Sequence, residues 1–235
     1  MYTIALRYKI IDTSHTMMEL SIIQKIAVWA IPVIFAITLH EVAHGWVASW
    51  FGDMTAKLSG RLSLNPLHHI DPVGTVLMPV LMLMVSNFIF GWAKPVPIDP
   101  RNFGHPRRDM AIVAAAGPLS NILMALFWGG IASLGIYFLR SGNSWLGVPL
   151  AYMGNAGIMI NVILAVLNFF PLPPLDGGKV LVNLLPPRLA WKFSMIEPYS
   201  FFILILLLVT GVLSYLMTPP VFFLIRWIST LYGLS

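Results

Sequence analysis

The sequence predicts an all-α polytopic membrane protein, and three observations carry that prediction. The 235 residues are 58% hydrophobic and only 10% charged, where soluble domains carry about a quarter charged residues. Mean hydropathy is +0.82. Six segments are apolar enough to enter a bilayer: 22–50, 73–90, 110–139, 151–170, 199–217 and 219–234. A helical crossing needs roughly 20 residues, which makes 73–90 and 219–234 the shortest candidates. The basic residues, finally, gather in the connections between these segments, as they do in cytoplasmic loops of membrane proteins.

The same numbers exclude other classes. With no cysteine, neither a disulfide framework nor a thiolate metal site is available. The net charge of +5 is accounted for by loop Lys and Arg, so no nucleic-acid partner is expected. No polar stretch is long enough for a separate soluble domain. The expected organisation is an N-terminal segment 1–21, a core 22–180, and an interfacial segment with a C-terminal transmembrane hairpin in 181–235. Residues 1–21 mix apolar side chains with Arg7 and Lys9, and no role is assigned to them.

Segment 22–50 contains His40-Glu41-Val42-Ala43-His44. Two imidazoles four residues apart lie on one helical face and can share one metal ion, while the Glu between them can take a proton from water. Charged groups at bilayer depth are expensive and functional by default. From His40 to Phe51 is about 11 residues, roughly 16 Å of helix, so the site is expected well below the surface and fed by a polar cleft.

The loops fix how the segments cross. Lys57 and Arg61 precede 73–90; Lys94, Arg101, Arg107 and Arg108 follow it; Lys179, Arg188 and Lys192 lie between 171 and 198. The connection 140–150 carries only Arg140. Putting the three basic loops on the cytoplasmic side makes 73–90, with Pro72, Pro79 and Gly91, a re-entrant hairpin; an ordinary short span is the alternative.

A catalytic metal usually takes a third protein ligand. Asp176 is the candidate, in Asn168-Phe-Phe-Pro-Leu-Pro-Pro-Leu-Asp176-Gly-Gly. Pro171, Pro173 and Pro174 stop the preceding helix, which lets a carboxylate turn sideways, and Gly177 and Gly178 permit close backbone approach. If 73–90 turns back, 110–139 and 151–170 supply the even number of crossings that brings Asp176 to the depth of the two histidines. Asn168 reads equally as a helix-end polar residue or as a donor to a developing oxyanion. Gly117 and Asn121, four residues apart, suit close helix approach with an interhelical hydrogen bond from the Asn.

Other polar residues carry less. His68 and His69 read as loop hydrogen-bonders or interfacial residues, with a gating role as the alternative; His15 and His105 read as surface residues. Trp191 and Lys192 suit an interfacial segment, and Glu197 the start of helix 199–217. Lys94 to Ile98, with prolines at 95 and 97, reads as a rigid linker or as an extended edge whose backbone groups at Lys94, Val96 and Ile98 could hold a substrate strand.

Together, His40-Glu41-Val-Ala-His44 and Asn168-x-x-Pro-x-Pro-x-Leu-Asp176-Gly-Gly resemble the site-2 protease family of intramembrane zinc metalloproteases. Gly117-Pro118-Leu119-Ser120-Asn121 resembles that family's middle core element. Gly60-Arg-Leu-Ser-Leu-Asn-Pro-Leu-His-His-Ile-Asp-Pro and Gly91-Trp-Ala-Lys-Pro-Val-Pro resemble its compact bacterial branch. The resemblance covers about residues 22–180. It implies a three-helix catalytic core with a re-entrant or β-like loop region, one zinc ion per chain on His40, His44 and Asp176, and Glu41 as general base. It also implies that Asn168 contacts substrate or stabilises the oxyanion, and that the substrate is a transmembrane protein. No PDZ or CBS module is expected. The expected location is a bacterial cytoplasmic membrane; substrate identity, regulatory partner and oligomeric state are not written in the chain. The rival reading is a membrane zinc-binding or zinc-transport protein. Transport would need ionisable residues spread along several spans, whereas here they concentrate at one place.

Overall fold

Long apolar runs leave a helix no polar stripe to turn toward water, so the elements they form suit a lipid environment. The structure, a computed structural model, describes residues 21–77 and 94–234. The helices are α1 (Ile22–Trp50), α2 (Thr55–Leu58), α3 (Pro106–Arg140), α4 (Ser144–Asn168), α5 (Asp176–Leu184), α6 (Pro187–Ser194), α7 (Ser200–Val209) and α8 (Val212–Leu231). No strand occurs among the described residues. Among the described residues, five helical stretches are long and apolar enough to cross a membrane: Ile26–Trp50, Pro106–Arg140, Ser144–Asn168, Pro187–Val209 and Val212–Leu231. Large apolar side chains such as Leu123, Phe127, Phe202, Val209 and Phe223 stand exposed along them. A water-soluble monomer rarely shows so much apolar surface. The chain is an all-α polytopic membrane protein.

The ends of the helices follow from local chemistry. α1 closes where Gly52 takes a φ of 101°, with the Gly52 and Asp53 amides donating to the Ser49 and Ala48 carbonyls. Only glycine takes that conformation cheaply. α3 opens on Pro106, whose missing N–H costs nothing there. The Asp109 carboxylate accepts the His105 amide at 2.8 Å, which satisfies an orphan donor of the first turn. At 35 residues, α3 is about 52 Å long, well beyond a bilayer core of about 30 Å, so part of it lies outside or tilts.

One boundary differs from expectation. The break anticipated between the segments 199–217 and 219–234 lies instead at Thr210-Gly211, so they become Pro187–Val209 and Val212–Leu231. Gly211 has φ 76°, and its amide donates to Leu208 O, a helix stop with its own capping bond. Pro219 and Pro220 sit inside α8; neighbouring groups can re-satisfy backbone carbonyls freed by proline in a membrane helix. The question whether 73–90 crosses or re-enters lies mostly outside the described residues, as does the N-terminal stretch 1–20. Pro72–Leu77 forms one wide helical turn, its start capped by the Asp71 carboxylate, which accepts from the Val73 and Gly74 amides.

The chain gathers into two compact units. One comprises the residues up to Val33 together with Ile122–Ile163 and the residues from Leu216; the other comprises Ile34–Asn121 and Leu164–Tyr215. In the first, small residues hold helices backbone to backbone. A Cβ on Gly154 would strike Ala132, one on Gly135 would strike Ala151, and one on Gly157 would strike the Trp128 indole. Lipid tails are as apolar as these side chains, so close van der Waals contact, rather than exclusion of water, holds the helices. Val28, Tyr152 and Ala156 form a small core there.

The second unit carries a polar framework. One apolar cluster in it is Ala48, Phe103 and Val113, with Ile98 and Met110 against them. Asp53 is fully buried and locks the end of α1 to the later loop. It accepts from the Thr55 amide and hydroxyl, from Asn102 Nδ2 at 2.8 Å and from the Asp99 amide at 2.8 Å. The Arg107 guanidinium donates to the Val182 and Leu185 carbonyls at the C-terminal end of α5, where a cation also complements the helix dipole.

Candidate metal centre

Helical spacing alone puts His40 and His44 on one face of α1. Their ring centroids are 4.7 Å apart, and both side chains are buried. Two long-range contacts decide which nitrogen of each ring faces inward. His40 Nδ1 lies 2.6 Å from Asn121 Oδ1, while Asn121 Nδ2 donates to Ala36 O, so the amide presents its oxygen to the imidazole. His44 Nδ1 donates to Val113 O at 2.7 Å. With both Nδ1 atoms protonated, each neutral ring presents a bare Nε2 lone pair to the interior. Gly117 makes this possible, because a Cβ there would overlap the His40 and His44 rings. The expectation that Gly117 and Asn121 serve close approach and an interhelical bond is met; their partners are the site itself.

Asp176 arrives from the other end of the unit. α4 stops at Asn168 and the chain turns through the proline run to Leu175, after which Asp176 opens α5. A carboxylate in a first turn is favoured by the helix dipole. The turn is tight enough that a Cβ on Gly177 would strike the Phe169 carbonyl, and one on Gly178 would strike Pro173. Asp176 Oδ2 lies 3.1 Å from both His40 Nε2 and His44 Nε2, and the two Nε2 atoms are 3.1 Å apart. Asp176 Oδ1 is 3.1 Å from Lys179 Nζ.

Three atoms that each present a lone pair, buried and within 3.1 Å of one another, need a positive charge between them. The edge of a tetrahedron with ~2.05 Å bonds is about 3.3 Å, close to the spacing found. His40, His44 and Asp176 form a donor set able to hold one metal ion. Two neutral imidazoles and one carboxylate are a composition that suits zinc. The histidine–Asn121 and histidine–Val113 bonds are the outer contacts that fix tautomer and ring orientation in such sites.

Glu41 lies beside the donor set rather than in it. Its Oε2 accepts the Val96 amide at 2.9 Å. That contact is absent from the sequence reading, because a backbone N–H leaves no signature in residue type. It also corrects the expectation of an open edge at 94–98. The Val96 amide is taken by Glu41, and the Lys94 amide donates to His69 O at 3.0 Å. The Lys94 and Pro95 carbonyls accept from Arg61 Nη2 at 2.9 and 3.4 Å. Asn168 donates its Nδ2 to Leu164 O in its own helix, a contact that leaves both alternatives standing. His69 is a buried loop hydrogen-bonder with Nε2 on Ser63 O; His68 and His105 are exposed and away from the donor set.

The comparison that decides the family is with the "Putative zinc metalloprotease YwhC" of Bacillus subtilis, 38% identical over 189 residues that make up 80% of this chain and 83% of that protein. The chain belongs to the site-2 protease family. The "Putative zinc metalloprotease Rip2" of Mycolicibacterium smegmatis is 28% identical over 77% of this chain and 66% of that protein. Its namesake in Mycobacterium tuberculosis is 26% identical over 85% of this chain and 72% of that protein. No family model matches the chain, and no solved structure is detectably similar to it. With five membrane-length apolar helices among its described residues, this member of the family is a membrane zinc metalloprotease.

Proposed function

We propose that the chain hydrolyses peptide bonds in or near transmembrane segments of other proteins in a cell membrane, the bacterial cytoplasmic membrane being the expected one. The observation that carries this reading is the donor set His40, His44 and Asp176, two of whose members stand on a helix long and apolar enough to span a bilayer. One zinc ion per chain, held by these three residues, would supply Lewis-acid polarisation of the scissile carbonyl and acidify a water.

The protein's own groups do the rest. Asn121 and Val113 O hold the imidazoles in the tautomer that presents Nε2. Lys179 holds the second oxygen of Asp176, so that one carboxylate oxygen faces the histidines. Glu41 accepts a proton from the attacking water on its carboxylate and returns a proton to the leaving amine. Asn168 can donate to the developing oxyanion once its amide leaves Leu164 O. His40, His44 and Asp176 are buried, which strengthens the electrostatic contacts among them.

The test is a comparison of membrane proteomes from cells carrying the natural chain and Glu41→Gln. The expected result is accumulation of single-span protein stubs in the variant. Identical membrane proteomes would contradict a proteolytic role and favour zinc binding or transport.

A further inference from the structure

Residues 94–98, which lie ahead of α3, reach the site through the Val96 N–H, which donates to Glu41 Oε2 at 2.9 Å. Three further features concentrate on the same loop. The Val96 side chain is buried and rests over Gly45, where a Cβ would come within 2.9 Å of Val96 Cγ1. Gly45 is one helical turn beyond Glu41, so the amide and the side chain of Val96 engage the same face of α1. On its other side the loop is clamped: Arg61 Nη2 donates to both the Lys94 and Pro95 carbonyls, and His69 O accepts the Lys94 amide. Pro95 and Pro97 flank Val96, fixing two φ angles and stiffening the segment. Among the described residues, Arg61 Nε and His69 Nδ1 are buried without a hydrogen-bond partner.

We propose that residues 94–98 form a strap that positions Glu41 through the Val96 amide, and that Arg61 and His69 are positioning residues that hold the strap. A carboxylate on a flexible side chain samples several rotamers, whereas one bonded to a fixed amide keeps one oxygen occupied and aims the other. A misplacement of about 1 Å at a reacting group costs on the order of a hundredfold in rate. The inference rests on the reading of Glu41 as general base.

The strap is tested first without any substrate. The full chain, labelled with 15N-valine and held in detergent micelles, gives a Val96 amide signal recognised by its disappearance in Val96→Ala. In the natural chain this proton should resonate downfield and exchange slowly. Glu41→Ala should move it upfield and speed its exchange, and Arg61→Ala should do the same from a distance, with zinc content unchanged. A Val96 signal indifferent to both substitutions would overturn the proposal.

Kinetics supply the second arm, with the stub that accumulates under Glu41→Gln as substrate. Val96→Pro, which removes the N–H, should fall about tenfold or more below Val96→Ala in kcat, with KM within about twofold. Arg61→Lys should recover part of the kcat lost in Arg61→Ala. Equal kcat for Val96→Pro and Val96→Ala would overturn the proposal. If no stub accumulates, the protease reading fails, while the amide signal still decides whether the strap holds Glu41.

Discussion

The two halves of α3 use glycine for opposite ends. In residues 122–140, Gly135 lets α3 approach the backbone at Ala151, and Ala132 receives Gly154; nothing polar is involved. In residues 106–121, Gly117 instead leaves room for two imidazoles, with Val113 O and Asn121 orienting them. The missing Cβ in one half buys packing and in the other a metal site. In a membrane, where helices gain nothing from excluding water, a single helix can therefore pack at one end and leave room for a polar donor set at the other.

The comparison is broken most severely by placing a methyl group in each half. Gly117→Ala drives a Cβ into the His40 and His44 rings, so purified protein should lose nearly all its zinc while keeping its helical content by circular dichroism. Gly154→Ala should instead lower the thermal midpoint in detergent, by an overpacking cost of about 1–3 kcal/mol, and keep its zinc below the transition. Zinc retained in Gly117→Ala, or lost in folded Gly154→Ala, would show that the halves are not specialised in this way.

A milder change sharpens the same point. Asn121→Ala leaves His40 Nδ1 buried without its acceptor, and zinc affinity measured by chelator competition should drop about 10–100-fold. Lys179→Met touches only the outer oxygen of Asp176, through a half-exposed ammonium, and should weaken zinc by a few-fold at most. An Asn121 effect no larger than the Lys179 effect would mean that ring orientation is set elsewhere.

How much of this was legible in the sequence divides along the same line. The helical spacing of His40 and His44, and the proline–glycine turn that aims Asp176, are local features written in residue type. Asn121 was legible as an interhelical hydrogen-bonder, but its partner was not, since spacing along one helix does not say which side chain faces it on another. The Val96 amide had no residue-type signature at all. The last helix boundary was not legible because the segment 199–217 stays largely apolar on both sides of Thr210-Gly211, while the positive φ of Gly211 is decided by the capping geometry around it.

The smallest expected effect lies away from the metal. Burial pushes the Asp53 carboxyl up, yet the bonds from the Thr55 hydroxyl, Asn102, and the Asp99 and Thr55 amides together hold it below its ordinary value of 3.8. A carboxyl depressed in the folded state contributes its full stabilisation above its unfolded value and loses it as pH falls through the folded one. Thermal midpoints should therefore be flat near neutrality and decline below about pH 4, and Asp53→Asn should reduce that acid-side decline. An unchanged acid limb in Asp53→Asn would remove Asp53 from the account.

The central claim is that His40, His44 and Asp176 hold the metal while Glu41 moves the proton. Its most direct measurement is zinc content and turnover of a transmembrane substrate, taken together on purified Glu41→Gln and on the natural chain. The account predicts the same zinc content in both, near one ion per chain, with turnover in the variant reduced by at least a hundredfold, the scale of a lost general base. Turnover in Glu41→Gln equal to that of the natural chain would contradict it.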